Sequence, residues 1–390
     1  MAIRIAKPST ARDVVLNLRP RAARLLVFVF CAAFACLSLV GIARAEGEPG
    51  GDDLLVMPVA EAPEQPAFSI DSPIGPLEYQ LGRGFRVGHT GLNIGGFTTL
   101  EFDKEESEPG ELELDAFSIL ALFEPNPYIR GFAELQVGDL FAWETDQSSV
   151  EVGASFNVER LYFDLRVSDP LELRMGKFQT PIGRWNLVPA EPFVWTAEEP
   201  AFVEALFEEH TTGGSLQGTV PMADSGLDYW VYSGFFEPLD PEGDIEPVDH
   251  TIGGRLQYGQ GVADYWSVGS SFMATEIAGQ WSYLAGVDAE VRWERVLLTS
   301  EFAWQAGEIP ERDVLDVYVQ GVFEIVPTFH LVGRYEHIDP DGRSNDAHIG
   351  DVGFAWTPRP WLHFKATYRF TDKQTEEVRR GLSASFSFVF

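Results

Sequence analysis

The sequence is poor in cysteine and has almost no long apolar run. Its 390 residues include two cysteines, Cys31 and Cys36, and both lie in one apolar segment near the N-terminus. An exported protein that loses this segment has no thiol, which excludes a disulfide framework and thiol chemistry. A helical membrane protein would show several runs of about twenty apolar residues. The rest of the chain shows none.

The single long apolar run covers residues 25–43. Three arginines closely precede it, and residues 43–45 read Ala-Arg-Ala. This order of basic, apolar and small residues is typical of a secretory signal peptide. We therefore predict a signal peptide over residues 1–45, with an uncleaved anchor helix as the alternative.

Basic residues are scarce as well. The chain has 28 lysines and arginines against 60 acidic residues, which gives a formal charge of −32. Residues 1–45 contain seven of the basic residues and one acid, so the mature chain would carry −38. Nucleic-acid binding requires basic residues that neutralise phosphates. We therefore expect no nucleic acid among the partners of this protein.

From about Gly91 to the end, segments of roughly ten residues alternate between apolar and polar positions, as strands with two unlike faces do. In the clearest segment, one face carries Trp281, Tyr283, Ala285, Val287, Ala289, Val291 and Trp293. At about 3.3 Å per residue and a tilt of about 45°, this segment spans an apolar band of about 25 Å. Aromatic residues at both ends are typical of membrane interfaces. A soluble all-β domain with these faces packed inside is the alternative.

About sixteen such segments follow one another, joined alternately by short turns and longer polar loops. The longer loops are predicted near residues 104–110, 144–150, 237–249, 274–280, 307–312, 339–346 and 372–378. This alternation is typical of bacterial outer-membrane barrels, whose short turns face the periplasm. We predict an all-β fold, a transmembrane antiparallel β-barrel of about 16 strands over residues 88–390. The acidic, proline-rich residues 46–80 predict disorder, within a periplasmic extension over residues 46–87.

The last predicted strand ends on a phenylalanine. One face carries Leu382, Ala384, Phe386, Phe388 and Phe390, and the other carries Ser383, Ser385 and Ser387. This strand resembles the assembly signal of bacterial outer-membrane barrels. The resemblance implies a location in the bacterial outer membrane. It also implies outer-membrane lipid, lipopolysaccharide and the barrel-assembly machinery as partners.

The longest connection, about residues 179–210, follows the fifth predicted strand. In sixteen-stranded porins, the loop after strand five folds into the barrel and narrows it, so the resemblance implies a constriction loop here. Its acidic residues are Glu191, Glu198, Glu199, Glu204, Glu208 and Glu209. An acidic loop inside a narrow pore favours cations. The alternative is that the loop covers the outer rim of the barrel. There, salt would screen the charge of the loop within about 8 Å.

Residues 176–183 read Gly-Lys-Phe-Gln-Thr-Pro-Ile-Gly. They resemble the Gly-Lys-Phe-x-Thr-Pro-x-Gly segment of the phosphate-selective porin family. That family lines its pore with a basic ladder, largely of lysines. The expected mature chain has only four lysines, namely Lys104, Lys177, Lys365 and Lys373. The resemblance therefore implies a porin-like barrel and leaves its solute open.

Successive side chains of a strand point to opposite faces. The residues that alternate with the apolar, outward-facing positions of each strand are therefore predicted to point into the barrel. The predicted channel-lining residues are Arg166, Arg174, Arg255, Arg292, Arg334, Lys365, Arg369, Asp288, Glu290 and Glu301. Such a mixed wall suits a water-filled pore. For any single residue, we favour the simpler role of pairing with a neighbouring strand and stabilising the wall.

Signals for other chemistry are weak. Ser215, in Gly-Gly-Ser-Leu-Gln, lacks the glycine two residues later that a nucleophile elbow needs. We predict no catalytic residue, metal ligand or cofactor, and no enzyme activity. The predicted function is that of an outer-membrane porin, a passive channel for small hydrophilic solutes or ions with a preference for cations. The resemblance to porins implies a homotrimer. The alternatives are a channel specific for a sugar or an anion and, third, a barrel enzyme.

Overall fold

The computed structural model describes residues 68–390 apart from a few short segments. These segments are residues 107, 147–148, 169, 189, 207–208, 223, 235–247, 262–263, 308–313, 340–345 and 375–377. The predicted signal peptide, residues 1–45, and residues 46–67 of the predicted extension lie outside the described residues.

Almost all regular structure in the described part is β-strand. The strands are β1 Phe68–Ile70, β2 Leu77–Gln80, β3 Gly84–Val87, β4 Leu92–Glu105, β5 Gly110–Asn126, β6 Ile129–Glu144, β7 Ser155–Ser168, β8 Leu171–Gln179, β9 His210–Met222, β10 Ser225–Gly234, β11 Val248–Gly261, β12 Tyr265–Ile277, β13 Gln280–Trp293, β14 Val296–Gly307, β15 Val314–Val326, β16 Phe329–Ile338, β17 Ala347–Arg359, β18 Leu362–Thr371 and β19 Gly381–Val389. The helices are two 3₁₀ turns, Trp185–Leu187 and Glu191–Phe193, and α1, Ala201–Leu206. None of these described helices has the length and apolar character needed to cross a membrane.

Strands β4–β19 form a closed barrel of sixteen strands. Each strand is antiparallel to the next. The ring closes where β19 pairs with β4, from Gly381 opposite Glu105 to Val389 opposite Phe97. The predicted fold, an antiparallel barrel of about 16 strands, is confirmed.

The barrel wall has its apolar side chains outside and its polar side chains inside. On β13, Tyr283 and Val287 are 44% and 41% exposed, whereas Ser282 and Asp288 are only 4% and 3% exposed. A soluble protein shows the opposite distribution, because burial of apolar surface drives its folding. An apolar outer face is stable where hydrocarbon replaces water. The structure therefore agrees with the predicted alternation of this strand, in which Tyr283 and Val287 face outward and Ser282 and Asp288 face inward.

The connection between β12 and β13 is shorter than the sequence predicts. A two-residue turn, Ala278-Gly279, stands where a longer loop was expected over residues 274–280. Both turn residues have positive φ, 50° and 76°, as in the type I′ turns that join twisted strands. Thr275 and Glu276 are polar, yet they belong to β12 and pair with β11. The prediction of a longer loop is wrong because polar residues at the end of a strand have the same composition as a polar loop.

Strands β1–β3 form a small antiparallel meander at the start of the barrel. Phe68 lies opposite Tyr79, and Phe85 lies opposite Ile94 of β4. The disorder predicted for residues 46–80 is therefore wrong where β1 and β2 lie. Strands of three or four residues are too short to show an alternating pattern. The predicted domain boundaries stay predictions.

Val319 allows a test of the outer face, because it lies at the middle of β15 and is 45% exposed. We expect Val319→Arg to lower the free energy of unfolding by about 2–4 kcal/mol, since the charge would enter hydrocarbon. Val150, in the loop after β6, is 47% exposed and provides the matched control Val150→Arg. Urea unfolding in lipid vesicles measures both. Equally small effects of the two changes would contradict a lipid-facing wall.

Candidate functional site

The loop between β8 and β9, residues 180–209, folds back against the inside of the barrel. Strand β8 is the fifth strand of the closed ring, which is the position predicted for an infolded loop. Helix α1 packs against β15 and β16, and the ring centroids of Phe202 and Tyr318 are 5.4 Å apart. Ile182, Phe202 and Val203 are fully buried in this contact region. The loop therefore occupies part of the lumen.

The segment that resembles phosphate-selective porins forms the corner where the chain leaves the wall. Gly176 has a φ of 133°, and a Cβ added there would lie 2.1 Å from the carbonyl oxygen of Leu161. The hydroxyl groups of Thr180 and Thr211 are hydrogen-bonded at 2.8 Å. Gly183 has a φ of 60°, a left-handed conformation that favours glycine. The motif residues thus have a structural role, independent of any solute.

The carboxylate of Glu301 on β14 is the first anchor of the loop. It accepts the backbone N–H groups of Arg184 at 2.7 Å and Trp185 at 2.6 Å. The hydroxyl of Tyr318 also donates to this carboxylate, at 2.8 Å. Buried peptide N–H groups that have no strand partner need another acceptor, and the side chain of Glu301 supplies two oxygens. Glu301 therefore holds the start of the loop against the wall.

The side chain of Arg184 completes this anchor. Its guanidinium lies 3.2 Å from Asp288 and 3.5 Å from Glu290, while Arg255 contacts the same Asp288 at 2.5 Å. Burial alone would lower the pKa of Arg184, but Glu290, Asp288 and Glu301 outweigh that effect and raise it. With Glu301 included, the group contains two arginines and three carboxylates.

Two wall arginines form a second anchor for the middle of the loop. Arg334 donates to the carbonyl oxygens of Glu198 at 3.1 Å and Glu199 at 3.0 Å. Arg369 lies 2.5 Å from the Glu198 carboxylate and also donates to the Glu199 carbonyl, at 3.1 Å. Both guanidinium groups contact Asp351 on β17, at 2.6 Å and 3.0 Å. The buried carboxylate of Asp351 thus holds the two arginine side chains that bind the loop.

Lys365 on β18 ties down the second 3₁₀ turn. Its Nζ lies 2.5 Å from the carboxylate of Glu191 and 3.2 Å from the carbonyl oxygen of Thr196. The hydroxyl of Ser385 on β19 donates to the same Glu191 carboxylate at 2.9 Å. Loop and wall are therefore joined by three groups of contacts, of which the last two share strand β18.

The structure divides the predicted channel-lining residues into two groups. Beneath the loop and buried are Arg255, Arg334, Lys365, Arg369, Asp288 and Glu301. Glu290 also contacts the loop, through Arg184, whereas Arg166, Arg174 and Arg292 lie elsewhere on the wall, Arg292 over the ring of Tyr265 at 5.8 Å. In the first group, Arg255 is bonded to the wall residues Ser271, Gln257 and Asp288, and the other members contact the loop directly. A role of either group in lining a pore stays a prediction.

The predicted constriction-loop residues also differ from one another in placement. The Glu191 and Glu198 carboxylates are paired with wall bases, and Glu199 contributes its carbonyl oxygen. The Glu209 carboxylate lies 3.7 Å from Nδ1 of His210. The Glu204 side chain and Glu208 lie outside the described residues. Their role in selecting ions stays a prediction.

Strands β6–β8 carry an arginine strip that the sequence did not reveal as a unit. Its members are Arg130, Arg160, Arg166 and Arg174, paired with Glu124, Glu134, Glu172 and Asp164 respectively. Two stacked rings, Phe132 and Tyr162 at 5.3 Å, lie beneath Arg160 and Arg174. Arg160, Tyr162 and Arg166 are separated by even numbers of residues, which in a strand places them on one face and could have revealed the strip. The aromatic ring of Tyr162 conceals this signal, because aromatic residues are typical of the lipid-facing side near membrane interfaces.

Ser215 and possible metal ligands can be located in the described part of the chain. The Ser215 hydroxyl is buried on β9 and has no hydrogen-bond partner there, so no base activates it. No group of three or more described His, Cys, Asp or Glu residues could hold a metal ion.

The first anchor can be tested by removing its acceptor. We expect Glu301→Ala to speed backbone hydrogen exchange at Arg184 and Trp185, because both N–H groups lose their acceptor. Hydrogen-exchange mass spectrometry of the folded barrel measures this. Glu324→Ala, on the neighbouring strand β15, removes a carboxylate without a described loop contact and provides the control. Unchanged exchange in Glu301→Ala would contradict the anchor.

Comparison with known proteins shows similarity at the level of structure. The chain matches no protein-family model, and no curated protein sequence matches it. Its fold is similar to OmpF of Salmonella typhi, solved with daunomycin, at a TM-score of 0.53 and 10% identity, covering 78% of this chain and 99% of that one. An anion-selective porin of Comamonas acidovorans gives a TM-score of 0.52 and 12% identity, covering 77% of this chain and 99% of that one.

The trimer form of OmpT, an outer membrane protein of Vibrio cholerae, gives a TM-score of 0.51 and 11% identity, covering 77% of this chain and 99% of that one. At these identities the similarity concerns the fold. The fold agrees with the apolar outer face and the closed ring, since hydrocarbon tolerates no open sheet edge. The chain is a multi-pass β-barrel of the bacterial outer membrane.

Proposed function

We propose that this barrel is a porin-like channel for the passive diffusion of small hydrophilic solutes or ions. The observation that carries the proposal is the polar inner wall, enclosed by sixteen strands and covered in part by a loop that folds inward after the fifth strand. Diffusion through such a lumen needs no catalytic group. Its width sets the size limit, and its fixed charges set which ions enter.

The charges around the loop support a preference for cations. The first anchor has two arginines against three carboxylates. The second anchor and the Lys365 contact together have three bases against four carboxylates, namely Arg334, Lys365 and Arg369 against Glu191, Glu198, Glu336 and Asp351. By formal charge, each group therefore has one more acidic than basic side chain. Fixed negative charge in a narrow lumen raises the local concentration of cations.

The remaining observations do not favour anions. The arginine strip on β6–β8 is matched one to one by carboxylates, so it adds no net charge. The similarity to an anion-selective porin is one of fold, and the sign of selectivity rests on the charges of this chain. A phosphate channel would need the basic ladder that the four lysines cannot supply. The trimer form of OmpT supports a homotrimer as the assembly of this barrel.

Single-channel recording tests the proposal directly. The purified mature protein in a planar bilayer, under a KCl gradient, should give stepwise conductance with a cation-selective reversal potential. Glu198→Gln should shift that potential toward anions, because Arg369 then loses a neutralising partner 2.5 Å away. Absence of conductance from a folded barrel would sink the channel proposal, and anion selectivity would overturn the preference for cations.

A rim variant provides the matched control. Glu106 is paired with Arg380 at 3.6 Å in the loop region between β4 and β5, away from the loop anchors. Glu106→Gln removes the same charge at a position where salt screens it. Its reversal potential should equal that of the unchanged protein. Saturable block by a sugar or an anion would instead indicate a substrate-specific channel.

A further inference from the structure

A cavity of about 350 Å³ lies on the inner wall at the short-turn end of β5–β8. Its lining includes Arg130, Asp164, Arg166 and Glu172 from the wall and Tyr128 from the turn between β5 and β6. In outer-membrane barrels the short turns face the periplasm. The cavity therefore opens at the periplasmic mouth of the lumen, separate from both loop anchors. Its volume is at the lower end for sites that hold small molecules.

Two arginines present hydrogen-bond donors to this cavity. Arg130 contacts Glu124 through Nε at 2.8 Å, and Arg166 contacts Glu172 through Nε at 3.5 Å. Among the described residues, the terminal Nη groups of these two arginines make no hydrogen bond. Arg130 lies opposite Asp164 in the register, so Arg166 is its diagonal neighbour across β6 and β7. Diagonal neighbours are about 7–8 Å apart, which lets both side chains reach one carboxylate.

The other side of the cavity suits a cation. Glu124 uses one carboxylate oxygen for Arg130, and its side chain is 41% exposed. The ring of Tyr128 is exposed beside it, and aromatic faces attract ammonium groups. Asp164 is already bound by Arg174 through both oxygens, so it does not compete for this cation. One compact site thus offers donors for an anion next to acceptors for a cation.

We propose that this cavity binds small zwitterionic solutes of the amino-acid type. The carboxylate of the solute binds the Nη groups of Arg130 and Arg166, and its ammonium group lies between Glu124 and Tyr128. This inference rests on the proposed function in one respect, since it names a class of solute that crosses the lumen. Binding is weak, on the order of millimolar, because a conducting site must release its solute.

Three related probes test the proposal on the folded barrel in detergent. L-alanine carries both charges, N-acetylalanine carries only the carboxylate, and alaninamide carries only the ammonium group. Saturation-transfer NMR titrations should show alanine binding at least about tenfold more tightly than either single-charge probe, because each loses one set of charge-assisted contacts. Equal binding of alanine and a single-charge probe, or no binding of alanine, would overturn the proposal.

Variants separate the two halves of the site. Arg130→Gln and Arg166→Gln should each weaken alanine and N-acetylalanine binding, whereas Glu124→Gln should weaken alanine binding without weakening N-acetylalanine binding. Arg379→Gln changes an exposed arginine paired with Glu105 and should alter neither. Circular dichroism checks that each barrel is folded. A Glu124→Gln barrel that binds alanine normally would overturn the ammonium half of the site.

Conductance recorded from the same samples separates this proposal from the channel itself. A conducting barrel that does not bind alanine would overturn the zwitterion site and leave the channel standing. A barrel that binds alanine with the expected variant pattern but does not conduct would support the site and overturn the channel.

Discussion

Inside a bilayer, a backbone N–H or C=O group finds no partner except another group of the protein. The wall meets this constraint only because β19 pairs with β4, which leaves no edge of the ring facing lipid. Closure also fixes which face of each strand is outside, so apolar side chains must lie there and polar ones inside. The buried charges, the infolded loop and the cavity at the periplasmic mouth all depend on this enclosed face.

Charges that are withdrawn from water destabilise a protein unless they are paired and hydrogen-bonded. In this lumen, the wall charges find partners in the backbone of the loop as well as in one another. Arg334 donates to carbonyl groups, and Glu301 accepts N–H groups from a segment that has no strand to pair with. The side chains that balance the wall thus also satisfy the loop backbone. Loss of one such residue leaves both a charge and a peptide group unpaired.

The barrel could be predicted from the sequence because alternation and strand length are local properties, clear in the segment Trp281–Trp293. The arginine strip could not, since Phe132 and Tyr162 look like lipid-facing residues and a bulge after Glu134 shifts the register. The position of the infolded loop was predicted from a resemblance. Its contacts were not, because Arg334 meets residues more than a hundred positions away and no local pattern encodes such a contact.

The wall side chains that anchor the loop, from Asp288 to Ser385, share one property, which is that they all follow it in the chain. Trp185 is held by a residue 116 positions later, and Glu191 by residues 174 and 194 positions later. Contacts at such separations form slowly, because the entropy of a long closed segment must be overcome first. The loop can take its place only after the second half of the ring has formed. Until the strands that carry these side chains are in place, the loop lacks its anchors, so closure of the ring and placement of the loop are linked.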